Sequence, residues 1–151
     1  MPRDADENAR TSTLLRQLFQ APDLDTFFDR YRPAVQLPVF HEYVLELCRE
    51  RKMKKETVIR RAGIERTYGY QLLNGTRKPS RDKVLQLALG LRLDADETKK
   101  LLHIAGKSPL YPRLKRDAAV LYCILHGKSV IDAQLLLQEL GLAPLGEDLQ
   151  I

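Results

Sequence analysis

Residues 54–80, KKETVIRRAGIERTYGYQLLNGTRKPS, decide the fold of this chain. Their apolar periodicity predicts one short helix over residues 54–62 and a second over residues 65–73. Gly63 lies between the two helices, where a sharp corner needs a residue that tolerates positive φ. Asn74-Gly75 has the same tolerance, so the second helix is expected to end there. The stretch therefore predicts two short helices joined by a tight turn.

Two short helices joined by a glycine turn form a helix-turn-helix unit, whose second helix can enter the major groove of DNA. Residues 37–94 resemble the Xre family of phage-repressor-type helix-turn-helix proteins. The resemblance rests on Gly63, on Asn74-Gly75 and on the RKPS segment at residues 77–80, ahead of an apolar helix over residues 83–91. It covers somewhat over a third of the chain. It implies an all-α, repressor-like domain in a sequence-specific transcriptional regulator that binds double-stranded DNA as a homodimer.

The resemblance also implies which side chains contact DNA. An Arg can pair bidentately with guanine and a Gln with adenine, while a Thr methyl or a Tyr ring can pack on the methyl of thymine. Glu65 is expected to cap the second helix rather than to accept from a cytosine. The residues expected to contact bases are Arg66, Thr67, Tyr68 and Gln71. The residues expected to contact phosphates are Lys54, Lys55, Arg77, Lys78 and Ser80.

The chain departs from the family pattern at two places. The family carries a small residue in the first motif helix and a bulky aliphatic residue in the second, whereas this chain has Ile59 and Gly69 there. The two volumes look exchanged, so we expect a close contact between these residues. The second departure is Leu73, where the family often carries a Glu.

Basic charge is concentrated around the predicted motif. Residues 49–83 contain twelve Lys or Arg and four Asp or Glu, a local charge of +8, whereas the whole chain carries +5. The rest of the chain therefore carries −3. Such a concentration is either the electrostatic footprint of phosphate binding or a merely solvated surface, and its coincidence with the motif favours phosphate binding.

Residues 1–36 are predicted to form a helical N-terminal arm before a DNA-binding domain at residues 37–110. Within the arm, residues 11–20 and 23–31 have apolar stripes at helical spacing, and Asp23 can cap the second helix. These stripes are too apolar to remain in water. The arm is therefore expected to dock on its own chain or on a protein partner.

Residues 111–151 are predicted to add a C-terminal helical hairpin, because residues 116–145 align without a gap on residues 81–110. Seven of the thirty aligned pairs are identical. The likeness is either a structural repeat or a chance similarity between two amphipathic helix pairs. The hairpin either enlarges the core or forms the dimer interface that two-fold operators require. The basic segment 111–116 either contacts phosphates or is a linker that starts a helix at Pro112.

The composition argues against several other classes of protein. No apolar run approaches the roughly 18 residues of a membrane span, and the charged start of the chain is unlike a signal peptide. Cys48 and Cys123 lie on apolar faces in no paired spacing, which indicates reduced thiols in a cytoplasmic protein. Cys123 and His126 alone cannot provide the four ligands of a structural zinc site. No nucleophile motif or phosphate-binding glycine loop is present, so no metal, cofactor or enzyme activity is expected.

The alternative function is a non-enzymatic protein-interaction adaptor that retains the helix-turn-helix fold. It would hold a protein partner through the N-terminal arm or the C-terminal hairpin. Salt discriminates between the two functions. Binding to DNA through several Lys and Arg side chains weakens steeply as salt rises, whereas docking through apolar faces changes little.

Overall fold

The computed structural model describes residues 3–35 and 37–146. Every regular element in these residues is an α-helix, which confirms the predicted all-α class. In this part of the chain, no helix combines the length and the apolar character needed to cross a membrane. The helices are α1 (Arg3–Gln20), α2 (Leu24–Val35), α3 (Phe40–Glu50), α4 (Lys55–Arg61), α5 (Arg66–Asn74), α6 (Arg81–Gly90), α7 (Ala95–Ile104), α8 (Lys115–Leu125) and α9 (Val130–Glu139).

The chain divides into two compact units, residues 1–37 and residues 38–151. The first unit holds α1 and α2. α1 begins at Arg3 rather than at the predicted Thr11, because the acidic and alanine residues before Thr11 suit the first turns of a helix. Asp23 has its predicted role, since its Oδ1 accepts from the backbone N–H of Thr26 at 2.7 Å before the start of α2.

The first unit has a small aromatic cluster. Phe27 is buried and its ring contacts the rings of Phe28 and Tyr31, with centroids 5.9 and 5.3 Å away. The rest of the apolar stripe is open to solvent. The exposed large apolar side chains of this unit include Leu15, Leu18, Phe19, Leu24 and Phe28.

The second unit has one hydrophobic core, centred on α6. α6 is buried on nearly every side because α4, α7 and α9 all pack against it. The C-terminal hairpin belongs to the same core, to which it contributes Val120, Ile124 and Leu137. The hairpin therefore enlarges the core, which is one of the two roles expected for it.

The turns around α4 and α5 have the predicted backbone geometry. Gly63 has φ of +67° in the turn between the two helices, and Gly75 has φ of +83° at the end of α5. Glycine adopts such angles without the strain that a side chain brings. Ser80 then caps α6, since its hydroxyl oxygen accepts from the backbone N–H of Lys83 at 3.2 Å. Local sequence therefore sets both ends of α5 and the start of α6.

The hairpins α6–α7 and α8–α9 have equivalent local structures at a shift of 35 residues. Asp94 and Glu97 form a capping box at the start of α7. Ser129 and Asp132, which align with them, form a capping box at the start of α9. Each box satisfies backbone N–H groups that the first turn of the helix leaves without partners. The two hairpins pack reciprocally, since α6 contacts α9 and α8 contacts α7.

Two Arg–Asp pairs join the hairpins in the same reciprocal way. Arg81 donates from Nη1 and Nη2 to the two carboxylate oxygens of Asp117, both at 3.0 Å. Arg116, which aligns with Arg81, donates in the same way to Asp82 at 3.0 and 2.8 Å. Each hairpin thus supplies the arginine of one pair and the aspartate of the other. This arrangement is a local pseudo-two-fold symmetry.

Further hydrogen bonds of these four side chains repeat at the same shift. Each arginine also donates to two backbone carbonyls at the end of its own hairpin. Each aspartate also accepts a hydrogen bond from a backbone N–H just after the end of the other hairpin. The carbonyls belong to Ser108 and Pro109 for Arg81, and to Ala143 and Pro144 for Arg116. The N–H groups belong to Tyr111 for Asp117 and to Gly146 for Asp82.

The segment between the hairpins differs from one expectation. α8 begins at Lys115, with Leu114 as its N-cap, rather than at Pro112. Arg116 is held by Asp82, so its guanidinium is not free to contact phosphate. Arg116 and the backbone N–H of Tyr111 therefore serve the contact between the two hairpins, whereas Arg113 and Lys115 of this segment are exposed.

Candidate nucleic-acid interface

α5 has one buried face and one face towards solvent. The exposed face carries three of the four residues expected to contact bases: Arg66 and Thr67 are exposed, and Gln71 is half-buried. The opposite face packs on α3 and α4. Its buried residues are Gly69, Leu72 and Leu73.

Tyr70 and Asn74 share the exposed face of α5, although neither was among the residues expected to contact bases. They follow Arg66 by four and eight residues, which is the spacing of one helix face. The Arg66 guanidinium carbon lies 5.9 Å from the centroid of the Tyr70 ring. Asn74 Oδ1 accepts from the backbone N–H of Thr76 at 2.9 Å. The helical period counted from Arg66 was the signal that could have identified both residues.

Tyr68 lies at the edge of the exposed face, between cationic groups. The guanidinium carbon of Arg77 is 4.3 Å from the centroid of its ring, and Lys83 Nζ is 5.1 Å from it. Each such cation–π contact stabilises by about 0.5–1 kcal/mol at an exposed site. The half-buried ring therefore holds Arg77, one of the expected phosphate contacts, beside α5.

Glu65 caps α5, as predicted. Its carboxylate accepts from the backbone N–H of Tyr68 at 2.8 Å and from that of Thr67 at 2.9 Å. These hydrogen bonds, that of Tyr68 first, lower the pKa of the Glu65 carboxyl. The negative charge also lies at the positive end of the helix dipole, where it is stabilising.

The residues expected to contact phosphates lie at two helix starts and in one loop. Lys54 is the N-cap of α4 and Lys55 is its first residue, and both side chains are exposed. Arg77 and Lys78 are exposed in the loop after α5. Ser80 is half-buried and uses its oxygen to cap α6. A hydroxyl that accepts one hydrogen bond can still donate its own proton, so the capping role is compatible with a phosphate contact.

Gly69 lets α5 approach α4 closely. A Cβ atom at this position would lie 2.8 Å from Cγ1 and 3.0 Å from Cδ1 of Ile59, which is too close for a carbon–carbon contact. Ile59 is buried and fills the space that a larger residue in α5 would need. Leu73, the other departure from the family pattern, is buried in the core between α3 and α5.

Comparison of the chain with protein-family models, with curated proteins and with solved structures gave no match. Among residues 3–35 and 37–146, no group of three or more His, Cys, Asp or Glu side chains is arranged to hold a metal ion. Both cysteines are free and buried, and burial raises the pKa of each thiol.

Proposed function

We propose that this chain is a sequence-specific DNA-binding transcriptional regulator with a repressor-like helix-turn-helix domain. α4 and α5 form the helix-turn-helix, and α5 enters the major groove. A homodimer places two copies of α5 on the half-sites of a two-fold operator.

The observation that carries this proposal is the exposed face of α5. Side chains able to read base edges lie together on that face, while the opposite face anchors the helix in the core. Arg66 can donate both guanidinium arms to guanine, and Gln71 can pair with adenine. The carboxylate of Glu65, at the N-cap of this helix, accepts hydrogen bonds from the backbone N–H groups of Thr67 and Tyr68.

Cationic side chains at the start of α4 and after α5 support the same proposal. Phosphate contacts fix the register and orientation of a protein on the duplex, while base contacts provide specificity. Lys54, Lys55, Arg77 and Lys78 are exposed and can supply such contacts. On a plot of log affinity against log salt concentration, each neutralised phosphate makes the negative slope steeper by about 0.9.

A salt titration with a duplex of random sequence tests the charge part of the proposal. We expect the affinity of the wild-type chain to fall linearly on a double-logarithmic plot of affinity against salt. Lys54→Ala and Lys78→Ala should each reduce the slope by about 0.9. Lys128→Ala removes an exposed lysine between α8 and α9 and serves as the matched control, whose slope should equal that of the wild type. Equal slopes in all four proteins would refute this placement of the phosphate contacts.

The second candidate function is a protein-interaction adaptor. The exposed apolar side chains of the first unit, such as Leu15 and Phe19, favour it. An adaptor that binds no DNA would retain its partner at high salt. A wild-type chain without measurable affinity for any duplex at low salt would favour the adaptor over the regulator.

A further inference from the structure

The two helical hairpins have equivalent internal structures but different surroundings. In the first hairpin, α3 and α4 cover one face of α6 and α7. Gln86 of α6 donates to the carbonyl of Ala62 at 3.0 Å, and Gly90 approaches Ala62 so closely that a Cβ atom would lie 2.9 Å from its nitrogen. On α7, Lys100 Nζ lies 5.3 Å from the ring centroid of Tyr43.

Among residues 38–146 of the second unit, no helix covers the same face of the second hairpin. At the shift of 35 residues, Leu87 of α6 aligns with Tyr122 of α8, and Gly90 aligns with Leu125. Leu87 is fully buried, whereas Tyr122 is 51% exposed and Leu125 is 64% exposed. The face of α6 that packs on Ala62 at Gly90 is therefore open at Leu125, the equivalent position of α8.

The open face is apolar even where its counterpart in the first hairpin is polar. Ile131 and Leu135 of α9 align with Asp96 and Lys100 of α7, and they are 72% and 53% exposed. Leu114, the N-cap of α8, is 56% exposed. It precedes Tyr122 and Leu125 by eight and eleven residues, which is the spacing of one helix face. The outer face consists of Leu114, Tyr122, Leu125, Ile131 and Leu135.

We propose that this outer face binds the outer face of a second copy of the chain. Its five side chains expose on the order of 600 Å² per protomer, so that a symmetric dimer would bury about 1,200 Å², the lower limit for a stable and specific interface. None of the five side chains is charged, so two identical faces can meet without repulsion. An exposed apolar patch of about 600 Å² lies at the upper end of what a typical monomeric domain carries, and patches of that size are often functional.

A two-fold dimer accounts for both the area and the composition of the outer face. In an isologous interface the same residues contact each other across the axis, so a face without charge is complementary to itself. The dimer interface is remote in sequence from α5, and self-association needs no DNA. The inference rests on the homodimer of the proposed function and adds the surface through which it forms, and this surface can be tested without DNA.

The test is sedimentation equilibrium of the full chain over a range of concentrations, without DNA. We expect a concentration-dependent species of twice the 17.3 kDa chain mass. Ile131→Asp/Leu135→Lys places on α9 the residues that α7 carries at the equivalent positions. Leu125→Lys is a second, independent variant. Each variant should weaken dimerisation by at least about tenfold, because a few residues near the centre of an interface carry most of its binding energy.

Two matched variants complete the experiment. Val39→Asp changes an exposed apolar residue at the N-cap of α3, and Phe19→Asp changes one on α1. Both should dimerise as the wild type does. A monomeric wild type would overturn the proposal, and so would a dimer that persists in both outer-face variants. A dimer that only Phe19→Asp abolishes would also overturn it, because the interface would then belong to α1. Circular dichroism melting confirms that each variant is folded.

Discussion

Gly69 determines how closely α5 can pack on α4. It has no Cβ atom, and the space beside it is filled by Ile59. Gly69→Leu should therefore lower the free energy of unfolding by about 1–3 kcal/mol through overpacking. Because even a Cβ atom would be too close to Ile59, the cost lies at the upper end of this range. The higher helix propensity of leucine offsets about 1 kcal/mol of it, so a net loss of about 2 kcal/mol remains. Thermal or urea unfolding followed by circular dichroism measures the net change.

The partner substitution isolates the contact. Ile59→Ala alone should cost about 2–5 kcal/mol because it leaves a cavity. The double variant Ile59→Ala/Gly69→Leu should lose less than the two single variants together, since the leucine fills the space of the missing side chain. Unchanged stability of Gly69→Leu, or strict additivity in the double variant, would contradict this account.

For single residues, the sequence alone predicted those features that depend only on neighbouring residues in the chain. Positive φ at Gly63 and Gly75 and the capping role of Glu65 all follow from neighbouring residues. The half-buried position of Tyr68 does not, because its ring packs against the core and lies near Lys83 of α6. Tyr70 could have been included by counting the helical period from Arg66.

At the scale of the elements, the Arg–Asp pairs fasten one hairpin to the other. Removing the arginine leaves a carboxylate with fewer partners, and the cost grows as that carboxylate becomes more buried. The Asp117 side chain is 6% exposed, whereas that of Asp82 is 23% exposed. Arg81→Met should therefore destabilise the fold by about 3 kcal/mol, and the equivalent Arg116→Met should destabilise it less. Urea titration of the two variants tests this order, and the reverse order would refute it.

The same carboxylates make the fold sensitive to acid. Burial alone would raise the pKa of Asp82 and Asp117, but hydrogen bonds from Arg116 and Arg81, together with backbone N–H groups, lower both below the ordinary value of 3.8. A lowered pKa in the folded state stabilises the fold above pH 3.8, and this stabilisation is lost as pH falls through the folded value. The melting temperature should thus drop below pH 4. Asp82→Asn/Asp117→Asn should flatten that drop, and an equally steep acid profile in this variant would contradict the assignment.

The elements show a clear limit of sequence reasoning. The likeness between residues 81–110 and 116–145 was visible, and so was the Arg-Asp pair at the start of each segment. The exchange of partners between the pairs was not, since it depends on how the hairpins pack. Likewise α8 is apolar on most sides, so only packing distinguishes the buried Cys123 from the exposed Tyr122.

At the scale of the whole molecule, charge and apolar surface are segregated along the chain. Residues 49–83 carry +8 while the rest carries −3, and the outer face of α8 and α9 has no charged member. We expect the two surfaces to act independently. Ile131→Asp/Leu135→Lys should weaken binding to a two-fold operator but leave binding to a single half-site unchanged. Electrophoretic mobility shifts on the two duplexes compare these affinities, and equal losses on both would contradict the separation.

The central claim is that α5 reads base edges, and selection of DNA from a random pool tests it most directly. The purified wild-type chain and an Arg66→Ala/Gln71→Ala variant are selected in parallel, with Lys128→Ala as the control. The account predicts a palindromic motif for the wild type and the control, and its loss in the variant, since each bidentate base contact provides about 1–3 kcal/mol of discrimination. The same motif in the variant, or no enriched motif in the wild type, would contradict the claim.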